Sequence, residues 1–273
     1  FLVSCPPDHN LYSEKSRLLM QHLADICPDI EQVSVDECYM DFTSVSSHYK
    51  DPVSAARQIK DGIRETFGFT VNIGISDKKV LAKMASDFKK PDLVHTLFRS
   101  EIQAKLWPLP LSSLFMCGRS SVDALHNLGI LTIGDLARTD PEIIVPHLKS
   151  HGKMLWEYAN GIDDSTVAPI PSEAKGIGNS TTLSRDALTM TDIRKCLLSL
   201  SESVGSRLRK AHKRAAMVSV EIKYSSFRTA SHQTTLGEST NDAGSIYRTA
   251  CQLAAELWNG DPVRLLGVRT SKL

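Results

Sequence analysis

Asp36 and Glu37 stand side by side in the stretch Gln32 to Phe42, where apolar and polar residues alternate on either side of them. That alternation predicts a β-hairpin, or two short strands, with the two carboxylates at the junction. Adjacent acids exposed at such a junction suit a divalent cation that takes few protein ligands and leaves room for water and phosphate oxygens. An Asp-Glu pair by itself is more often a solvated turn. Asp41, on the following strand, reads as a structural acid. The second group with chemistry to offer is basic: Lys79, Lys83 and Lys90 recur at intervals of four and seven, which brings their ammonium groups toward one face of a helix, where phosphates can be met. Alone, such a row is a common solvated helix face. Arg207, Arg209, Lys210, Lys213 and Arg214 form a third group at the end of a long helical pattern, a place where cations also complement the helix C-terminus.

These residues need elements to carry them. Helical periodicity covers Leu11 to Cys27; a helix is expected over Pro52–Phe67 with proline in its first turn and Gly68 past its end; a strand over Thr70–Ile75 leads into a helix over Lys78–Lys89 that stops before Pro91. Short helices follow at 122–128, 133–138, 141–148 and 152–160, then a polar, proline-bearing linker, then a strand near 176–183, a helix over 190–212, strands at 217–224 and 229–236, a helix over 241–258 and a strand at 263–270. The last group has the βαββαβ order of a split, ferredoxin-like domain.

At 273 residues and 41% apolar composition, two or three domains with real cores are expected. The net charge of +1 conceals an asymmetry: residues 173–273 hold 15 Lys and Arg against 9 Asp and Glu, and residues 1–172 hold 17 against 22. The C-terminal part is the expected polyanion-binding surface. Six scattered cysteines lack zinc or disulfide spacing and point to a reducing, cytoplasmic setting. His147 and His151 lack a third ligand and read as solvated; Trp107, Trp156 and Trp258 read as packing residues. No apolar run reaches membrane-helix length, and no signal peptide is evident. Phe1-Leu2-Val3-Ser4-Cys5-Pro6-Pro7 reads as the end of a buried strand entered in mid-domain, so a preceding segment is expected.

Ser34-Val35-Asp36-Glu37-Cys38-Tyr39-Met40-Asp41 resembles the S-I/V-D-E-x-Y-L/M-D motif of Y-family, DinB-like translesion DNA polymerases, and Gly74 to Pro91 resembles that family's G-I-S-x-N-K-x-L/F-A-K-x-A-S-D/E-x-x-K-P motif. The resemblance extends over essentially the whole chain. It implies an α+β multidomain fold: a partial α/β palm at 1–110, a small all-helical thumb at 111–162, a linker at 163–175 and a ferredoxin-like little finger at 176–273. It implies template-directed nucleotidyl transfer with two Mg2+ ions, in which Asp36 and Glu37 are catalytic metal ligands and Lys90, with Lys83 nearby, contacts the deoxynucleoside triphosphate. Met116 to Ile130 resembles the family's helix-hairpin-helix element, with Gly118-Arg119-Ser120 where two glycines usually flank the turn; Gly118, Arg119 and Ser120 are its expected DNA contacts. The resemblance also turns the cluster from Arg207 to Arg214 into a surface for primer-template DNA.

The family's upstream M-D-x-D-x-F-F/Y strand, which supplies a third metal ligand and an aromatic sugar gate, does not occur in these residues, so the chain by itself is expected not to polymerise. The resemblance implies a bacterial, nucleoid-associated setting without a membrane, and a sliding-clamp peptide that would lie beyond Leu273. A non-catalytic DNA-binding module is the alternative; a cyclase-like nucleotidyl enzyme is disfavoured by the helical and basic C-terminal parts.

Overall fold

The computed structural model describes residues 3, 5–170 and 173–273. Its first helix, α1 (His9–Ile26), starts where Asp8 accepts hydrogen bonds from the Asn10 and Leu11 amides at 3.1 and 3.0 Å. Such an oxygen satisfies donors that a helix start leaves without partners. Of the strand end expected over Phe1–Pro7, residues 1, 2 and 4 lie outside the described residues, and Val3 is 85% exposed and outside any strand. Strands β1 (Ile30–Gln32) and β2 (Cys38–Met40) pair antiparallel, with Glu31 opposite Tyr39. Helix α2 (Pro52–Phe67) is capped by Asp51, whose Oδ1 accepts the Ser54 amide at 2.8 Å, and ends at Gly68 in the left-handed region at φ 72°. Leu19 and Leu23 of α1 pack with Ile59 and Ile63 of α2 in a small core beside the hairpin.

Next comes a βαβ unit: β3 (Ile73–Ile75) and β4 (Val94–Thr96) pair in parallel across α3 (Lys79–Asp87). The strand expected over Thr70–Ile75 is confined to three residues, and β4 was not foreseen. Gly74 is what lets α3 sit on β3, because a Cβ there would lie 1.9 Å from the Ala82 carbonyl oxygen and 2.5 Å from the Ser86 nitrogen. The far side of α3 supplies Val80, Leu81, Met84 and Ala85 to a second core. That core runs on through α4 (Ile102–Lys105), α5 (Arg119–His126), α6 (Ile133–Arg138) and α7 (Pro141–Ala159). The two helices expected at 141–148 and 152–160 are both present within α7, separated by a kink at Lys149, whose φ of 54° and ψ of −141° are not helical.

The chain divides into two compact units, Phe1–Pro171 and Ser172–Leu273. The second contains β5 (Gly176–Ala187), α8 (Met190–Lys210), β6 (Ala215–Tyr224), β7 (Thr229–Thr240), α9 (Ala243–Leu257) and β8 (Val263–Ser271). Its sheet has the order β5-β8-β6-β7 with every neighbouring pair antiparallel. Strands β5 and β6 therefore run the same way with β8 between them, which is the split βαβ arrangement. Val218, Val220, Ile222 and Tyr224 alternate along β6 into the core under α8 and α9. Ser219, Glu221 and Lys223 point to the opposite face, which no described element of this unit covers. Among the described residues no helix is long and apolar enough to cross a membrane.

Candidate active site and nucleic-acid interface

The β1–β2 turn is closed by the amides of Val33 and Ser34, which donate to the Glu37 carbonyl at 2.9 and 3.2 Å. Ser34 organises what lies inside it. Its hydroxyl donates to Asp36 Oδ1 at 2.7 Å and accepts from the Asp36 and Glu37 amides at 3.3 and 3.0 Å. Gln32 Nε2 in turn donates to the Ser34 carbonyl at 2.9 Å and to the Ser16 hydroxyl at 3.2 Å, tying the turn to α1. The result is two adjacent exposed carboxylates on a turn of fixed shape. Asp41 is engaged elsewhere: its Oδ1 accepts the Thr43 hydroxyl at 2.6 Å and the Thr43 amide at 3.0 Å, bonds that hold its carboxyl below the usual range.

Helix α3 meets this turn through its lysines. Lys83 Nζ lies 2.5 Å from Glu37 Oε1 and 3.1 Å from Asp87, and Lys90 Nζ lies 2.8 Å from the other oxygen of Asp87. Glu37, Lys83, Asp87 and Lys90 thus form a row of alternating charge. Burial of Lys83 disfavours its charged form, but the hydrogen bonds to Glu37 and Asp87 outweigh this and raise its pKa. Lys79, the third lysine of the expected face, turns aside to Glu31 Oε2 at 2.7 Å and sits over the Tyr39 ring at 4.8 Å from its centroid. Burial pushes the Tyr39 hydroxyl up to about 12 and the Cys38 thiol to about 11, so both remain protonated near neutrality.

Side chains that the sequence did not single out set these positions. Asn72 Nδ2 donates to the carbonyls of Ser86 and Lys89 at 3.1 and 2.7 Å, and its Oδ1 accepts the Leu93 amide at 3.1 Å, so it clamps the loop bearing Lys90. Lys60 and Arg64 of α2 hold Asp92 in the same loop, at 3.2 and 2.8 Å. Asp163, expected to open a linker, is buried, and its Oδ2 accepts the Val80 amide at 2.9 Å in the first turn of α3. The chain beyond it is tied down as well, for the Ala168 amide and Lys79 both donate to Glu31 Oε2 at 2.7 Å.

Asp36 and Glu37 offer oxygen donors only, at an exposed turn with room for water, which fits a hard divalent cation. Among the described residues no group of three or more His, Cys, Asp and Glu converges, so the pair supplies part of a coordination shell. His147 and His151 flank the bend in α7. Trp107 and Trp156 each donate an indole N–H to a backbone carbonyl of the helical segment and pack on its core.

Gly118 is the N-cap of α5, with Arg119 and Ser120 as its first two residues, all exposed. The first amides of a helix have no intrahelical acceptor and point outward. Gly118 lies at φ −73°, and a Cβ there would meet open space, so position 118 itself has no steric need of glycine.

In the second unit, Arg207 Nη1 donates to the Gly178 carbonyl at 2.7 Å, Arg209 to the Asn241 carbonyl at 3.0 Å and Arg214 Nε to the Ser239 carbonyl at 3.1 Å. Lys213 pairs with Glu173 at 2.8 Å, and Lys210 is exposed. Carbonyls accept hydrogen bonds without neutralising the guanidinium, so the positive field of this edge persists. The open sheet face was not anticipated. The register aligns Thr182, Ser180 and Gly178 of β5 with Leu265, Gly267 and Arg269 of β8, and Ser219 of β6 lies beside Arg269. Gly178 makes room for the Arg269 stem, since a Cβ there would lie 3.1 Å from Arg269 Cβ. Ser231, Gln233 and Thr235 of β7 continue this hydroxyl-rich, uncovered face.

Comparison with known proteins agrees with this layout. The family model described as the impB/mucB/samB family matches residues 2–87, and that for the impB/mucB/samB family C-terminal domain matches residues 174–273. A solved Y-family DNA polymerase chimera superposes with a TM-score of 0.85 at 22% identity, over 98% of this chain and 78% of its own, and so shares the fold. The chain belongs to the Y-family of DinB-like translesion DNA polymerases. Its relatives carry the name DNA polymerase IV: that of Clostridium acetobutylicum is 44% identical across 98% of this chain and 67% of its own length. Those of Alkaliphilus oremlandii and Acetivibrio thermocellus are 38% and 36% identical, over 67% and 69% of their lengths. The chain thus spans about two thirds of each of these relatives.

Proposed function

We propose that this chain carries the acidic pair, the triphosphate-binding lysines and the DNA-holding surfaces of a template-directed DNA polymerase that copies past damaged bases. The observation that carries the reading is the 2.5 Å contact between Lys83 and Glu37, which joins the acidic turn to the lysine helix across 46 residues of sequence. Asp36 and Glu37 hold divalent cations, Mg2+ by the preference of that ion for oxygen donors. Two such ions, when bound, supply the positive charge that favours a primer 3′-oxyanion and the departing pyrophosphate. Ser34 keeps the Asp36 carboxylate aimed; Lys83 orients Glu37; Lys90, on its clamped loop, meets the triphosphate of the incoming deoxynucleotide.

In this reading residues 1–110 form part of a palm, 111–162 a thumb, 163–175 a linker and 176–273 a little finger. The amides of Arg119 and Ser120 behind Gly118 receive a phosphate of primer-template DNA. The open face around Arg269, flanked by the edge from Arg207 to Arg214 with Arg209, Lys210 and Lys213, lies along the duplex backbone. Six free cysteines fit a reducing cytoplasm, beside nucleoid DNA.

A second reading is a DNA-binding module without catalysis. It is favoured by the lack, among the described residues, of a third acid beside Asp36 and Glu37. Extension of a labelled primer separates the two, using residues 1–273, a chain extended upstream through the M-D-x-D-x-F-F/Y motif, and the Asp36→Ala form of each. The expected outcome is extension by the longer chain alone, reduced by orders of magnitude in Asp36→Ala, since misplaced reacting groups forfeit that much rate. Binding of primer-template DNA without extension by either chain would leave the module as the better account.

A further inference from the structure

Phe227 occupies the tip of the β6–β7 hairpin, and its circumstances are unusual for an aromatic residue. Its backbone lies in the left-handed region at φ 65°, where bulky residues are rare, and burial does not offset that strain, because the residue is 62% exposed. The turn is nevertheless well fixed: the Phe227 amide donates to the Tyr224 carbonyl, the Tyr224 amide to the Arg228 carbonyl and the Ser225 amide to the Pro262 carbonyl, each at 2.9 Å. The exposed ring therefore stands on a turn held by three backbone hydrogen bonds.

Cations gather around it. Lys223 Nζ and the Arg264 guanidinium lie over the Phe227 ring, 5.0 and 5.1 Å from its centroid, and Arg228 lies over the adjacent Tyr224 ring at 5.0 Å. The acid near them is Asp261, 3.9 Å from Arg228. Lys223 belongs to the open sheet face, so this cluster continues the hydroxyl and cation surface that runs past Ser219 and Arg269. Tyr224 is buried, and Tyr247 and Trp258 are partly buried against the core of the unit. Among the described residues of this unit Phe227 alone presents an exposed aromatic ring.

We infer that the Phe227 tip is a stacking site for an unpaired nucleobase, with Lys223 and Arg264 receiving the phosphates on either side of it. The inference rests on the proposed DNA-binding function and narrows it to single-stranded nucleic acid at one end of the sheet face. Backbone contacts serve a duplex as well as a single strand. The two long cationic side chains over the ring can swing to flanking phosphates and give its face to a base, but only to a base whose own face is not already covered by its neighbours, and cations with an aromatic platform are the composition of single-strand binding surfaces.

The test is binding of the full 273-residue chain, by fluorescence anisotropy at fixed salt, to a blunt duplex and to the same duplex bearing an unpaired template extension. Phe227→Ala and Phe227→Leu are expected to lose about tenfold in affinity for the extended duplex, the size of one stacked base, while their affinity for the blunt duplex stays within about twofold. Phe227→Tyr keeps the ring and is expected to bind both as the parent does, and Arg269→Gln weakens both. Unchanged binding of the extended duplex by Phe227→Ala, or equal loss on both DNAs, overturns the stacking site while leaving the DNA-binding reading intact. Failure of the unsubstituted chain to bind either DNA overturns that reading and the inference with it.

Discussion

Asp163 shows how one side chain determines where the chemistry stands. The residue before α3, Lys78, provides no side-chain cap, so the Val80 amide depends on a carboxylate that lies far along the chain. The other oxygen of Asp163 accepts the Ser165 amide at 3.0 Å. Asp163→Ala leaves a buried amide unpaired and is expected to cost about 1–3 kcal/mol, measured by denaturant unfolding of the unit that contains it. Burial raises the Asp163 carboxyl, but the hydrogen bonds from Ser165 and Val80 and the charge of Lys79 outweigh that, and its pKa is lowered in the fold. A depressed carboxyl stabilises the fold fully above the unfolded value of about 3.9, and the contribution disappears as pH falls through the lower folded value. Stability of the parent is therefore expected to fall more steeply below about pH 4 than that of Asp163→Asn, read from unfolding midpoints across pH. None of this was legible beforehand, because Asp163 and Asp164 are the same residue in the same polar stretch, and the Asp164 side chain is 97% exposed. Asp36, Glu37, Lys83 and Lys90 could be singled out because each sits in a short contiguous motif that resembles the family's, whereas the partner of Asp163 is 83 residues away.

At the scale of the element, the site depends on how closely α3 lies on β3. Ordinary van der Waals contact requires more than 3.4 Å, and a methyl at position 74 would come within 1.9 Å of backbone that no rotamer change can move. Gly74→Ala is expected to displace α3, at a cost of about 1–3 kcal/mol or more, and with it Lys83 from Glu37. Hydrogen exchange should then quicken across α3 and β3 and stay unchanged in α8 and α9. The same closeness explains what sequence patterns revealed here. Long amphipathic helices such as α2, α8 and α9 announce themselves through apolar periodicity and capping residues, and the hairpin through its alternation. Strand β4 is three residues long, Val94-His95-Thr96, and exists because β3 offers it a parallel edge. A segment that short carries no period of its own. The kink at Lys149 in α7 falls in the gap expected between the helices at 141–148 and 152–160.

At the scale of the molecule, a net charge of +1 describes neither compact unit. Ser172 is uncharged, so the division between the units reproduces the split already counted in the sequence: 17 basic against 22 acidic residues in the first, and 15 against 9 in the second. The net charge of the first unit opposes a polyanion, and that of the second favours one without regard to sequence. The core of the second unit is built wholly from its own residues, from Ile177 to Val268. Its affinity for duplex DNA should then follow counterion release, with log K falling against log salt by about 0.9 for each phosphate neutralised. Two surfaces compete for that role, and they differ in how their cations are held. Arg207 is tied to the Gly178 carbonyl at the sheet edge, while Arg269 lies over Gly178 on the open face, among hydroxyls that can share a phosphate. Arg269→Gln is expected to reduce the slope of the full chain by about one phosphate, and Arg207→Gln to change it less, in anisotropy titrations of one duplex across salt. The reverse order would put the duplex against the end of α8 rather than on the sheet. Equal loss in both would mean that the backbone wraps the edge between them, which the shared glycine makes geometrically short.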